Sequence, residues 1–101
     1  MRGTFSRPKR SVKPETLIMR QIKEYLGLRG WFVYRNHQSL GSYPGIPDLT
    51  ALKNGRVVWI EVKRPGGKIS DHQADFAARV MGQGCEWRCL YSLDDAMEIF
   101  K

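Results

Sequence analysis

Two carboxylates and a lysine fall close together if the middle of the chain folds as a hairpin. Asn54-Gly55 is the preferred sequence for a two-residue type I′ turn, and it separates two runs of strand-forming residues. With these residues at the turn, Asp48 lies directly opposite Glu61, and Lys63 projects from the same face as Glu61. A β-bulge near Pro47 would shift this register by one residue. Without one, the three side chains form one patch.

The chemistry of such a patch is cation binding. Two opposed carboxylates repel each other, and a divalent ion would offset that repulsion. Oxygen ligands with room for water suit Mg²⁺ or Mn²⁺. The alternative is a surface acid pair that Lys63, Arg64 or solvent neutralises. The strand that carries Glu61 is apolar on both faces, as expected of a central strand, so charges at its end favour a functional site.

Two further polar residues lie on the apolar faces of predicted helices. Glu15 shares the stripe of Ile18 and Ile22, and Gln73 stands at the same spacing before Phe76. Each also has a structural explanation, because a first-turn acid suits the helix dipole and a first-turn glutamine can bond loop backbone. Beside a carboxylate pair, both are candidates for the same site.

Seven elements must position these residues, in the order αβββαβα. The predicted helices span 14–28, 71–81 and 93–100, and the predicted strands span 31–35, 48–53, 56–63 and 86–91. This order predicts an α/β protein of the α+β type, a single domain with a mixed central sheet flanked by helices. The length of 101 residues fits one domain.

Positive charge is concentrated at the N-terminus. The chain has 17 Lys and Arg against 10 Asp and Glu, a net charge of +7. Residues 1–13 contain no acid, and their cations are Arg2, Arg7, Lys9, Arg10 and Lys13. We predict that residues 1–13 form a flexible basic arm and that residues 14–101 form the folded domain. The arm indicates a polyanionic partner, nucleic acid rather than membrane, although an ordinary solubilising terminus is the alternative.

Several classes of protein are excluded. A hydrophobic content of 42% is too high for a wholly disordered chain. The longest apolar runs have four residues, against about 20 for a membrane span, and no apolar segment follows the basic start as in a secretory signal. Cys85 and Cys89 lack a second ligand pair and are weak evidence for zinc. No phosphate-cradling loop is present, so no nucleotide cofactor is expected. We expect an intracellular protein.

Pro47-Asp48, twelve residues and then Glu61-Val62-Lys63 form a PD-x(n)-E-x-K pattern, which resembles the PD-(D/E)xK nuclease superfamily. Over about residues 14–95 the chain more closely resembles the virus-type replication-repair nuclease (VRR-NUC) family. The matching stretches are Glu15, Gly45-Ile46-Pro47-Asp48, Asn54-Gly55-Arg56, Ile60-Glu61-Val62-Lys63 and Ser70-Asp71-His72-Gln73. The resemblance implies a restriction-endonuclease-like domain that hydrolyses phosphodiester bonds and leaves a 5′-phosphate and a 3′-hydroxyl.

The resemblance also implies a role for each candidate residue. Lys63 would orient or deprotonate the attacking water and offset charge on the phosphate, and Gln73 would brace the site or Lys63. The implied ligands of Mg²⁺ or Mn²⁺ are Asp48, Glu61, the backbone carbonyl of Val62 and, through water, Glu15.

Compact members of the family imply a homodimer that acts on branched DNA, above all four-way (Holliday) junctions, during replication, recombination or repair. Longer members of the family imply that flap DNA is the substrate instead. Apolar residues late in the chain could form the dimer interface or complete the monomer's own core; they are Trp87, Tyr91, Ile99 and Phe100. His37 and Tyr43 could contact nucleic acid or be ordinary loop residues. A non-catalytic nucleic-acid-binding module and a small interaction domain are the alternative functions.

Overall fold

The computed structural model describes residues 13–101, in which all seven predicted elements occur in the predicted order. The helices are α1 (Pro14–Leu28), α2 (Asp71–Gly82) and α3 (Leu93–Ile99), and the strands are β1 (Phe32–Arg35), β2 (Leu49–Lys53), β3 (Arg56–Val62) and β4 (Glu86–Leu90). The predicted bounds are correct to within one residue. Of the predicted basic arm, only Lys13 lies within the described residues, so the arm stays a prediction.

The strands form one mixed sheet in the order β1-β2-β3-β4. The first two pairings are antiparallel, and β3 pairs with β4 in parallel, with α2 as the connection between them. Parallel neighbours require such a crossover, because a tight turn cannot reverse the chain twice. β3 is bonded on both sides, which accounts for its apolar residues on both faces. The predicted α+β class and mixed sheet are confirmed.

The β2–β3 hairpin has the predicted register. Asn54 and Gly55 have φ angles of 52° and 82°, the positive values that a type I′ turn requires. From this turn the ladder runs without a bulge to the pair Leu49–Ile60. The next residue on each side of this pair carries a carboxylate, Asp48 directly before β2 and Glu61 on β3, so the turn determines which two acids meet at the far end of the hairpin.

Helices α1 and α3 pack on one face of the sheet and enclose the hydrophobic core. The core residues of these two helices are Met19, Ile22, Leu26 and Ala96, and Phe100 joins them directly after α3. On α1, Leu17 is 49% exposed, whereas Met19 is buried. No helix within residues 13–101 is both long and apolar enough to cross a membrane.

The C-terminal apolar residues belong to the monomer. Phe100 is 2% exposed and packs edge-to-face on Trp31, with ring centroids 5.2 Å apart. Ile99 is partly buried against the same core. These two residues therefore complete the monomer's own core, the second of the two roles considered for them. Trp87 and Tyr91 are only half-buried.

Helix α2 packs on the opposite face of the sheet, where the ring of Phe76 contacts that of Trp59. This face is covered only in part. On β1, Phe32 is 66% exposed and Tyr34 is 43% exposed, and their rings lie 5.5 Å apart. The sheet thus has one closed face against α1 and α3 and one face with uncovered aromatic surface.

Candidate active site

Asp48 lies directly before β2 and is bonded to the end of β3. Its Oδ2 accepts a hydrogen bond of 2.7 Å from the backbone N–H of Val62. In an extended strand the N–H and C=O of one residue point to the same side, and those of the next residue point to the other side. The N–H of Lys63 is directed to β4, where it donates to the carbonyl of Leu90. The carbonyl of Val62 therefore points toward Asp48.

Asn36, which is not among the predicted site residues, bonds the backbone at both Pro47 and Asp48. Its N–H donates to the carbonyl of Asp48 at 2.8 Å, and its Nδ2 donates to the carbonyl of Pro47 at 3.0 Å. Its Oδ1 accepts a bond of 2.8 Å from the Thr50 hydroxyl. One amide side chain thus connects the end of β1 to the start of β2. The only signal in the sequence is its place directly after a predicted strand.

Glu61 is a buried carboxylate with incomplete hydrogen bonding. It is 2% exposed, and its Oε2 accepts a bond of 3.2 Å from Nε2 of Gln73. The Nζ of Lys63 lies 3.7 Å from the same oxygen. The other oxygen, Oε1, is buried and has no hydrogen-bond partner among the described residues. A buried oxygen without a partner costs about 1–3 kcal/mol, and more when it is charged.

Burial and charge together alter the acidity of this group. Burial, reinforced by the neighbouring charge of Asp48, raises the pKa of Glu61 from 4.5 to about 8, while the ammonium of Lys63 opposes the shift. Near neutral pH and without a cation, Glu61 therefore tends to keep its proton.

The N-terminus of α2 fixes the orientation of the Gln73 amide. Ser70 and Gln73 form a capping box, in which the Ser70 hydroxyl accepts from the N–H of Gln73 and the Oε1 of Gln73 accepts from the N–H of Ser70 at 2.9 Å. Because Oε1 is occupied by the cap, the NH₂ group is the end that faces Glu61. The Gln73 side chain thus caps the N-terminus of α2 and also donates a hydrogen bond to Glu61.

The loop before Asp48 packs against the same helix terminus at Gly45. Its φ angle is +82°, and a Cβ atom at this position would overlap the backbone carbonyl of His72. Only glycine fits both the backbone conformation and this close approach. The contact sets the loop that carries Asp48 against the first turn of α2, which carries Gln73.

Glu15 reaches the site from the other side. It is half-buried in the first turn of α1, where Pro14 begins the helix. Glu15 and Asp48 line one cavity of about 190 Å³, together with Lys13 and Arg35. The sequence analysis did not single out Arg35, because nothing in a strand's last residue shows which cavity it will line.

These residues come from α1, β1, the loop before β2, β3 and α2. The family model described as the VRR-NUC domain matches residues 10–94. The chain belongs to the VRR-NUC family. The comparison with curated proteins returned no match.

Two solved structures are similar to this VRR-NUC domain. One is described as a VRR_NUC domain, with 23% identity, a TM-score of 0.78 and coverage of 88% of this chain and 96% of that chain. The other is Archaeoglobus fulgidus Hjc, a Holliday junction resolvase from an archaeal hyperthermophile. It has 23% identity and a TM-score of 0.56, and the match covers 76% of this chain and 67% of that one. At these identities, the two TM-scores show that the fold is shared.

The donor set of the VRR-NUC domain fits a divalent ion. Within residues 13–101 no three His, Cys, Asp or Glu side chains form a ready cluster, and Cys85 and Cys89 are free thiols. The carboxylates of Asp48 and Glu61 supply two candidate ligands, and the backbone carbonyl of Val62, which points toward Asp48, supplies a third. The unpartnered Oε1 of Glu61 is the atom that a cation would satisfy. All these donors are hard oxygens, which suit Mg²⁺ or Mn²⁺ better than zinc.

The predicted nucleic-acid contacts are only partly within the described region. His37 is exposed, and its Nε2 lies 2.6 Å from the Ser39 hydroxyl. Tyr43 is half-exposed and packs its ring on Phe76 at 5.7 Å. Lys13 lines the cavity of Glu15 and Asp48. The other four predicted contacts, Arg2, Arg7, Lys9 and Arg10, lie outside the described residues.

Proposed function

We propose that this VRR-NUC domain is a metal-dependent nuclease that hydrolyses phosphodiester bonds in DNA. The observation that carries the proposal is the buried carboxylate of Glu61, with one unpartnered oxygen, next to a second carboxylate. Such an arrangement lowers the stability of the apoprotein, because burial and like charge both oppose ionisation. A module that only binds nucleic acid has no use for a buried pair of carboxylates, whereas a metal-dependent hydrolase requires such a pair to hold its ion.

Asp48, Glu61 and the carbonyl of Val62 would hold Mg²⁺ or Mn²⁺, and Glu15 would reach the ion through water. The ion, when bound, supplies a Lewis acid and makes a coordinated water more acidic. Asn36 and Gln73 keep the two carboxylates in place, because each bonds directly to the backbone or side chain of one of them.

Lys63 supplies the positive charge of the protein at the reacting phosphate. Its Nζ is 3.7 Å from Oε2 of Glu61, and its side chain is only 14% exposed, so water screens it little. From this position Lys63 can, as an ammonium, orient the attacking water and offset charge that develops on the phosphate, or, as a neutral amine, accept a proton from that water. The products would carry a 5′-phosphate and a 3′-hydroxyl.

The substrate we propose is branched DNA, above all four-way junctions, with a homodimer as the active form. Supporting this, the fold is similar to that of a Holliday junction resolvase. A junction needs two symmetric cuts, which a twofold dimer supplies by presenting two identical sites. The exposed aromatic residues Phe32 and Tyr34 offer apolar surface that a second copy could cover.

A cleavage panel tests this proposal. Single-stranded, duplex, flap and four-way-junction DNA would be incubated with the protein and Mg²⁺ or Mn²⁺. We expect Asp48→Ala, Glu61→Ala and Lys63→Ala each to abolish cleavage in a protein that stays folded. Glu98→Ala is the matched control, because the Glu98 side chain is 76% exposed and, among residues 13–101, pairs only with Lys101.

The outcomes separate the alternatives. Wild-type turnover by the Glu61→Ala protein would contradict the assignment of the site. Binding of DNA without metal-dependent cleavage would favour the non-catalytic module. A monomer in sedimentation equilibrium that nicks flaps and leaves junctions intact would overturn the proposed substrate and dimer while the nuclease proposal stands.

A further inference from the structure

A second cavity adjoins the candidate active site along α1. It has a volume of about 170 Å³ and is lined by Thr16, Met19, Arg20, Lys23, Arg35 and Leu49. Three of its lining residues, Thr16, Met19 and Arg35, also line the cavity that contains Glu15 and Asp48. The two cavities therefore adjoin each other between α1 and the β1–β2 edge of the sheet, and together we call them the α1–β1 groove.

The cations of this groove lack carboxylate partners. Arg20, Lys23 and Arg35 are exposed, and within residues 13–101 none of them forms an ion pair. Elsewhere in the described region several exposed cations are paired, as Arg56 is with Glu86 and Arg79 with Asp75. The only acids in the groove are Glu15 and Asp48, at the end that we assign to the metal. Positive charge therefore extends from the candidate active site in one direction.

The spacing along α1 matches a nucleic-acid backbone. Arg20 and Lys23 are three residues apart and share one face of the helix. At 1.5 Å per residue, they lie about 7.5 Å and 12 Å along the axis from Glu15. One strand of duplex DNA advances about 3.4 Å per nucleotide, so these cations face phosphates roughly two to four nucleotides from the metal site.

We infer that the α1–β1 groove binds the DNA backbone on one side of the scissile bond, with Arg35 at the phosphate nearest the carboxylates and Arg20 and Lys23 farther along. This inference rests on the proposed nuclease function and extends it to the path of the substrate. Cations at this spacing contact phosphates rather than base edges, so the groove positions the strand without reading its sequence. The contacts fall on one side only, which makes the footprint asymmetric about the cut.

The test compares two double variants that each remove two exposed positive charges. Arg20→Ala/Lys23→Ala removes them from the groove, and Arg79→Ala/Arg88→Ala removes them from α2 and β4, outside it. Binding of a fluorescent four-way junction would be measured by anisotropy in EDTA over a range of salt concentrations. We expect the groove variant to bind roughly tenfold or more weakly, with a slope of log K against log salt smaller by about 1.8, because two phosphate contacts are lost.

The control variant should keep the wild-type slope, and thermal denaturation verifies that both variants are folded. Equal effects of the two double variants would overturn the inference, because only net charge would then matter. An unchanged slope in the groove variant, or no DNA binding by the wild type, would also overturn it. A reduced slope in a protein that never cleaves DNA would support the groove and contradict the nuclease proposal, so the two failures are distinguishable.

The direction of the groove is tested with substrates that carry one neutral methylphosphonate linkage at successive positions. The wild type should cut poorly at bonds two to four nucleotides from the neutral linkage on one side only. The groove variant should show no such preference. Interference on both sides, or none, would contradict the asymmetric path.

Discussion

The backbone N–H of Val62 donates to Oδ2 of Asp48 at 2.7 Å, so the first acid of the site is bonded to the strand that carries the second. The same bond directs the carbonyl of Val62 toward Asp48, because both backbone groups of a strand residue point to one side. The carboxylate of Asp48 and the main-chain oxygen of Val62 therefore lie on the same side of β3, just beyond the last residue pair of the β2–β3 ladder.

The first prediction concerns stabilisation by metal. Mg²⁺ or Mn²⁺ should raise the melting temperature of the wild type, because a ligand that binds only the folded state stabilises it by mass action, by about 2.7 kcal/mol at one hundred times its Kd. Asp48→Asn should lose this shift, since it retains an oxygen for the N–H of Val62 but lacks the negative charge. Thermal denaturation with and without the ion measures both. An equal shift in the variant would mean that the ion binds elsewhere.

The second prediction is a pH dependence of stability without metal. The pKa of Glu61 is raised to about 8, so between pH 4.5 and 8 the folded protein holds a proton that the unfolded chain releases. Stability should therefore be greatest at the acid end of this window and fall as pH rises through it, by several kcal/mol, since each pKa unit is worth about 1.4 kcal/mol.

Denaturant unfolding in EDTA at several pH values measures this trend. The free energy of unfolding of Glu61→Gln should vary less with pH between 4.5 and 8 than that of the wild type. Near pH 8 the variant should be the more stable protein, because its amide does not ionise. Glu98→Gln is the control and should retain the wild-type slope. A wild type whose stability rises steadily from pH 5 to pH 8 would contradict the assignment.

The third prediction concerns Asn36 as a positioning residue. Asn36→Ala removes the side-chain bonds to Pro47 and Thr50 and should weaken metal affinity by roughly 10- to 100-fold, as for other residues that orient a metal ligand. The metal concentration that gives half-maximal activity measures this effect. Gln38→Ala is the control, because Gln38 is exposed and its side chain bonds only the carbonyl of Ile46 within the described part of the chain. A merely structural role would lower the melting temperature and leave the metal dependence unchanged.

The fourth prediction concerns the N-terminal arm. Removing residues 1–12 deletes four cations and should reduce the salt slope of DNA binding by up to about 3.6, at about 0.9 per phosphate contact. The rate of cleavage at saturating DNA should stay the same. Anisotropy titrations and single-turnover cleavage measure the two quantities separately. An unchanged slope would show that the arm is a solubilising terminus.

The sequence predicts the hairpin well because its register depends on local chemistry. Asn54-Gly55 determines the turn, and alternation then carries the prediction to Asp48 and Glu61. The contacts of Asn36 could not be predicted, because they form only when the loop folds back across more than ten residues to meet Pro47 and Thr50.

The α1–β1 groove could not be predicted from the sequence for a similar reason. Arg20 and Arg35 become neighbours only through the packing of a helix on a sheet edge. Leu17 is apolar but exposed, because it precedes Ile22 by five positions and therefore lies about 140° away from it around a helix of 3.6 residues per turn. Met19, three positions before Ile22, occupies the buried face instead.

The close approach of Gly45 to His72 bears on how descendants of this chain would diverge. Any side chain at position 45 would overlap the main chain of α2, so folding alone requires the glycine, whatever the function of the site. Asp48, three residues later, is under no such constraint from packing. A chain that keeps Gly45 but has replaced Asp48 is therefore expected to fold without the metal site that we propose, and the glycine by itself would say nothing about activity.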